Sequence, residues 1–232
     1  MKTAWILVIV LSLLVVVLSV LLLTNSKFER ALRRALHGDS AIQQRKLRRQ
    51  RKLEMYRLYA DKDVTIAIIG DSHVNFADWD RLLPGSGIVG FGVSGETTAG
   101  LRRSLPDIIQ LNPQRCYIMI GCNDDVDDIS PDQTEENYIS IVDSLLASDI
   151  RVVLFSTLFV TQEYPDATAK NSRIERLNSV LRKLAAQPDV DFIDLNGELT
   201  AGRFLLPEYA ADAIHLNAVG YRIWAKLIRD FE

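Results

Sequence analysis

Three residue types that together open an ester stand in two distant parts of this chain. Ser72 lies in Gly70-Asp71-Ser72-His73, directly after the apolar run Val64-Thr65-Ile66-Ala67-Ile68-Ile69. Asp212 and His215 share Asp212-Ala213-Ile214-His215, a spacing that lets one loop present a carboxylate and an imidazole together. In such a set the serine hydroxyl attacks a carbonyl carbon, the histidine removes its proton, and the aspartate holds the imidazole tautomer. The attacked carbonyl oxygen becomes negative and needs donors already aimed at it. Three are available: the backbone N–H of Ser72 at a helix start, the backbone N–H of Gly95, unobstructed by a Cβ, and the side-chain amide of Asn123.

Taken singly, each residue has a plainer role. Ser72 could cap its own helix, His215 could cap the last one, Asn123 could be an ordinary turn residue and Asp212 a surface acid. The tripeptide is not diagnostic either, because Gly38-Asp39-Ser40 repeats it. That copy follows no strand, and Ser40 with Gln43 reads as a helix capping box.

Positioning Ser72, Gly95, Asn123 and His215 together requires a parallel sheet. Apolar runs at Val64 to Ile69, Ile88 to Phe91, Cys116 to Ile120, Val152 to Ser156 and Val190 to Ile193 predict five strands. Amphipathic stretches near Asp78 to Leu83, Thr97 to Leu111, Glu135 to Ala147, Asn171 to Ala186 and Ala218 to Phe231 predict helices between and after them. Alternation of this kind gives right-handed βαβ units with helices on both faces of the sheet. Loops after parallel strands meet at one edge, so Gly70–His73, Gly92–Thr98, Gly121–Asp124 and the later Asp212–His215 converge.

These four loops resemble the sequence blocks of the GDSL-type, or SGNH, hydrolases. Ser72 matches the first block, Gly95 in Gly92-Val93-Ser94-Gly95-Glu96-Thr97-Thr98 the second, and Asn123 in Gly121-Cys122-Asn123-Asp124 the third. Asp212 and His215 match the Asp-x-x-His block, and Asp78-Trp79 followed by Leu82-Leu83 looks like the acetylesterase and platelet-activating-factor-acetylhydrolase-like branch. The resemblance covers Val64 to Phe231. His73 stands where the family name has leucine, and Gly90-Phe91 stands where related members often have Asn-Arg. The resemblance implies an α/β fold, a three-layer α/β/α sandwich on a parallel five-stranded flavodoxin-like sheet. It also implies a serine esterase with a Ser72, His215, Asp212 triad, an oxyanion hole of Ser72, Gly95 and Asn123, and no metal or organic cofactor.

His73 is one of three histidines and follows the nucleophile directly. At a helix start such a neighbour points away from the serine, so His73, with Asp71 and Glu96, is read as a substrate-pocket residue. Cys116 and Cys122 form no disulfide framework and read as small buried hydrophobes. The run Asp124-Asp125-Val126-Asp127-Asp128 lacks the glycine and glutamate positions of an EF-hand loop and reads as a solvated loop.

The front of the chain differs from the rest. Ala4 to Leu23 is twenty residues without a charge, long enough at ~1.5 Å per residue to span a bilayer core. Thr24 and Ser26 at its exit leave a cleavable signal sequence as an alternative to an uncleaved anchor. Lys27 to Arg57 holds eleven Lys or Arg against three acids, a net of +8, whereas Leu58 onward holds 15 basic and 27 acidic residues, a net of −12. The expected organisation is a transmembrane anchor over 1–26, a basic helical stalk over 27–60 and a hydrolase domain over 61–232. A basic stretch after a span favours the cytoplasmic side and anionic headgroups, although a stalk on the far side is the alternative. The stretch has few aromatics, and no nucleic-acid partner is expected.

The whole reads as a membrane-tethered esterase acting on a small acyl ester, acetyl above all, of a carbohydrate or lipid-like alcohol. An acyltransferase using the same acyl-serine, or a non-catalytic tethered binding module, are the rival classes.

Overall fold

The apolar run after residue 63 becomes strand β1, Ile66–Gly70, and every residue of it is buried. The computed structural model describes Val15, residues 39–58 and residues 64–232; the apolar segment read as an anchor lies outside the described residues, Val15 excepted. Among the described residues no helix is long and apolar enough to cross a membrane. The chain divides into two compact units, Met1–Leu47 and Arg48–Glu232. The second begins inside the segment read as a stalk.

Helix α1, Asp39–Arg57, carries the end of the basic segment. It already includes Ser40, which therefore stands within its first turn and not ahead of it as a cap. Beyond β1 come α2 (Ser72–Phe76), α3 (Trp79–Leu82), β2 (Ile88–Gly92), α4 (Thr98–Ile109), β3 (Arg115–Met119), a 3₁₀ turn (Asp124–Asp127), α5 (Pro131–Leu146), β4 (Arg151–Phe155), α6 (Ala167–Leu184) and β5 (Val190–Ile193). A short helix α7 (Asn196–Leu199), a two-stranded hairpin β6 (Thr200–Ala201) and β7 (Phe204–Leu205), a 3₁₀ turn (Pro207–Tyr209) and α8 (Ala218–Phe231) complete the order.

The sheet order is β2-β1-β3-β4-β5 with every pair parallel. This is the doubly wound order whose switch point falls between β1 and β3, where ligands bind beyond the strand ends. Alternation along the strands sorts the core into two layers. Ala67, Ile69, Ile118 and Leu154 pack with Leu101 and Leu105 of α4, Ile141 of α5 and Leu181 of α6. Ile68, Tyr117, Met119 and Phe155 face the other way, against Val74 and Trp79 and against Tyr221, Trp224 and Ile228 of α8. Each such aliphatic side chain contributes about 1.5–3 kcal/mol by leaving water. The result is the expected three-layer sandwich on five parallel strands.

Three departures from the sequence reading have local causes. Helix α5 starts at Pro131, four residues earlier than the apolar period suggests, because Ser130 caps it by accepting from Gln133 N at 3.1 Å and proline suits the first helical position. Helix α6 starts a turn early, after Asp166 in the left-handed region (φ 56°). The β6–β7 hairpin has too few residues to show a period of two.

Candidate active site

Ser72 sits on α2, a single turn of helix forced close to the sheet. Asp71 caps it, its Oδ1 accepting from His73 N at 3.0 Å. Close approach to β2 is what Gly92 permits: a Cβ there would lie 2.1 Å from the backbone nitrogen of Asn75. Ser72 is buried, and its Oγ lies 3.0 Å from His215 Nε2.

His215 is aimed by its own loop. Asp212 Oδ1 accepts the backbone N–H groups of Ile214 (2.8 Å) and His215 (2.7 Å), while its Oδ2 lies 2.8 Å from His215 Nδ1. One carboxylate thus folds the turn and orients the ring. Partial burial tends to raise the Asp212 pKa, but these bonds from the His215 and Ile214 backbone and the His215 ring outweigh it and lower the value to about 2. Two further backbone bonds steady the loop, Thr161 N to Ala213 O at 3.0 Å and Ala211 N to His215 O at 2.8 Å.

Opposite this loop stand Gly95 and Asn123. Gly95 has φ +77°, a left-handed conformation that glycine adopts without a Cβ penalty. Asn123 Nδ2 donates to the backbone carbonyl of Glu96 at 3.0 Å, which ties the third loop to the second. Ser72, Gly95, Asn123 and His215 line one cavity of about 220 Å³, with Asp71, His73, Phe76, Ser94, Cys122 and Ile214 completing its wall.

The three residues read as pocket formers separate here. Asp71 and His73 line the cavity, and both are buried. His73 does more than pack: its ring bridges two elements, with Nδ1 3.2 Å from Asp71 Oδ1 and Nε2 3.1 Å from Ile214 O. Burial depresses the His73 pKa, but the hydrogen bond and charge of Asp71 and the Ile214 carbonyl overcome that, so the net shift is upward. Both nitrogens facing acceptors suits the imidazolium. Glu96, by contrast, is not part of the cavity wall. Its buried carboxylate accepts from Arg49 Nε at 2.6 Å and Nη2 at 2.5 Å, and from Thr97 N at 3.0 Å.

The acidic run is only in part the solvated loop that its composition suggests, since Val126 and Asp128 are exposed but Asp124 is not. Asp124 is buried, and its carboxylate accepts from Thr98 N (2.9 Å), Thr98 Oγ1 (2.5 Å) and Thr134 Oγ1 (2.8 Å), pinning the third loop to α4 and α5. Burial raises its pKa, partly countered by those threonine bonds. Asp125 accepts from Lys170 Nζ at 2.6 Å, and the same buried ammonium donates to Cys122 O. Cys122 lines the same cavity as Ser72, but burial pushes its thiol up to about 12, so it is an inert neighbour. Phe76, whose ring centroid is 5.0 Å from that of His215, and Ser94 are wall residues the motif reading did not single out. Arg49 and Lys170 carry no local signal at all, because their partners are 47 and 45–48 residues away in sequence.

Comparison with known proteins bears on the family and the fold. The sequence profile of the GDSL-like Lipase/Acylhydrolase family matches residues 36–223. A GDSL-like lipase from Bacteroides thetaiotaomicron superposes with a TM-score of 0.67 at 25% identity, over 77% of this chain and 96% of that one. An acetylxylan esterase from Geobacillus stearothermophilus gives 0.58 at 21% identity, over 71% and 92%. A protein from Streptococcus pneumonia presented as a platelet activating factor gives 0.73 at 24% identity, over 85% and 98%. Among curated sequences, N-acylneuraminate cytidylyltransferase from Streptococcus agalactiae is 25% identical over 127 residues, 55% of this chain but 30% of that protein. The matched stretch therefore spans under a third of that relative's length.

Proposed function

The chain belongs to the GDSL-like lipase/acylhydrolase family, and from that premise we propose that it hydrolyses carboxylic esters with Ser72 as the nucleophile, and that acetyl is the preferred acyl group. The observation that carries this reading is the relay of hydrogen bonds from Asp212 through His215 to Ser72, facing Gly95 and Asn123 across one small cavity. Ser72 Oγ attacks the ester carbon as its proton passes to His215 Nε2. The carbonyl oxygen, now negative, is held by the N–H groups of Ser72 and Gly95 and by Asn123 Nδ2. The alcohol leaves with the proton from His215, giving the acyl-serine. A water deprotonated by His215 then attacks the acyl carbon, and the acid is released as Ser72 regains its proton. Asp212 stays ionised throughout, stabilising the imidazolium.

A cavity of about 220 Å³ favours a short acyl chain over a fatty one. The acetylxylan esterase with the same fold supports acetyl groups on a carbohydrate; the apolar segment Ala4 to Leu23 and the basic residues after it support a membrane tether. On that charge asymmetry the catalytic domain is on the cytoplasmic side.

The test is hydrolysis of p-nitrophenyl esters of increasing chain length by the full-length protein and by Ser72→Ala. Acetate should be fastest, and Ser72→Ala should lose about 10⁴-fold or more in kcat. Substantial turnover by pure, folded Ser72→Ala would remove Ser72 from the mechanism.

A further inference from the structure

Helix α1 brings a row of cations to the edge of the site. One of them, Arg49, grips buried Glu96 with two hydrogen bonds, and Glu96 is the residue after Gly95. That bidentate pair seats α1 beside the oxyanion loop and leaves the neighbours of Arg49 over a second cavity. The cavity measures about 250 Å³ and is walled by Arg48, Arg51, Lys52 and Met55 from α1, with Asn75, Val93 and Ser94 opposite. Three cationic side chains line it and no carboxylate does, in a domain whose chain from Leu58 onward is net −12.

Ser94 lines this cavity and the catalytic one alike, and Asn75 Nδ2 holds its hydroxyl at 3.1 Å. The two cavities therefore share a wall next to Gly95. Burial pushes the Lys52 ammonium below its usual range, and a negative group in the cavity would act against that shift. The positive wall also opposes the field of the acidic domain, so an anion is drawn towards it.

We propose that this cavity is a leaving-group subsite for esters whose alcohol carries an acidic group, a carboxylate or a phosphate. It rests on the Ser72 reading: the acyl group occupies the catalytic cavity, the ester oxygen lies near Ser94, and the acid group of the alcohol meets Arg48, Arg51 and Lys52. Met55 and Val93 supply apolar contact for the body of the alcohol.

The test compares 4-acetoxybenzoate with its neutral counterpart 4-acetoxybenzamide, using the full-length protein in detergent and its Arg48→Gln/Arg51→Gln variant. The variant should lose about tenfold in kcat/KM on the carboxylate ester, mainly through KM, and less than about threefold on the amide. Half-molar sodium chloride should erase most of the wild-type preference. An equal loss on both substrates, or no loss on either, with an unchanged Tm, would overturn the subsite. Charge reversal, Arg48→Glu/Arg51→Glu, should deepen the loss on the carboxylate ester alone. Ser72→Ala is run alongside: turnover that persists in it sinks the nucleophile assignment, whereas Ser72-dependent turnover without charge selectivity sinks only the subsite. Vesicles of phosphatidylcholine with one-fifth phosphatidylserine distinguish the source of the anion. Competition in wild type that is lost in the Gln variant assigns a lipid headgroup, and its absence beside retained charge selectivity assigns a soluble anionic alcohol.

Discussion

The two sides of the catalytic cavity are built differently. On the base side, one carboxylate three residues from its histidine folds the turn, orients the ring and lies largely exposed. On the oxyanion side, Gly95 and Asn123 are held by buried charges from distant parts of the chain: Glu96 by Arg49, Asp124 by two threonines, and the Cys122 carbonyl by Lys170. The difference follows from what each side must do. A general base needs a correct tautomer and room to pass a proton, which a local turn supplies in contact with water. Donors for a transient oxyanion stabilise it only if they are already in place when the charge forms, and that requires rigidity from outside the loop.

Substitutions should separate these two constructions. Asn123→Ala removes a donor and should lower kcat by about 10²–10³ with little change in KM. A loss under threefold in steady-state assays would return Asn123 to the role of turn residue. Lys170→Met leaves Asp125 and the Cys122 carbonyl without their cation and should act through position. A fall of roughly tenfold in kcat is expected at constant KM, with partial recovery in Lys170→Arg, since a remote brace acts by placing the donor and not by touching substrate. A lower Tm with unaltered kcat would make Lys170 purely structural.

The smallest effect is expected on the side that is locally self-sufficient. His73→Leu removes a long-range side-chain tie to the base loop, the contact with Ile214 O, and should cost about threefold to tenfold in kcat through a looser His215. It should also change the pH dependence of stability. The folded-state pKa of His73 is raised above the ordinary 6.5, so its contribution is fully present below 6.5 and fades as pH rises through the folded value. Thermal melts of the wild type should weaken across that interval, and those of His73→Leu should lose this component. Identical slopes in the two proteins would show that His73 does not titrate with folding.

This asymmetry also explains which parts of the site could be read before the fold was known. The base side is visible in the chain because its partners are three residues apart: Asp212 and His215 advertise each other. The strands are visible for the same reason, since Ile66 to Ile69 or Val152 to Leu154 declare burial by composition over a few residues. The fate of Glu96 was not visible. As a carboxylate beside the Gly95 loop it resembles a pocket residue, and only Arg49, 47 positions earlier, turns it into a buried anchor. Asp124 misleads in the same way: four acids in five residues suggest solvent, but Thr98 and Thr134 converge on one of them from two helices.

By itself, the sequence determined the five parallel strands, the edge at which their loops meet, and the Asp212, His215 and Ser72 that are linked there by hydrogen bonds. Each of these is encoded by local periodicity or by residues within a turn of one another. The tertiary structure alone decided which charges are buried, which carboxylates face the cavity, and that the basic helix forms a wall beside it. Those outcomes depend on hydrogen-bond partners brought from tens of residues away, and a buried charge is tolerated only where such a partner arrives.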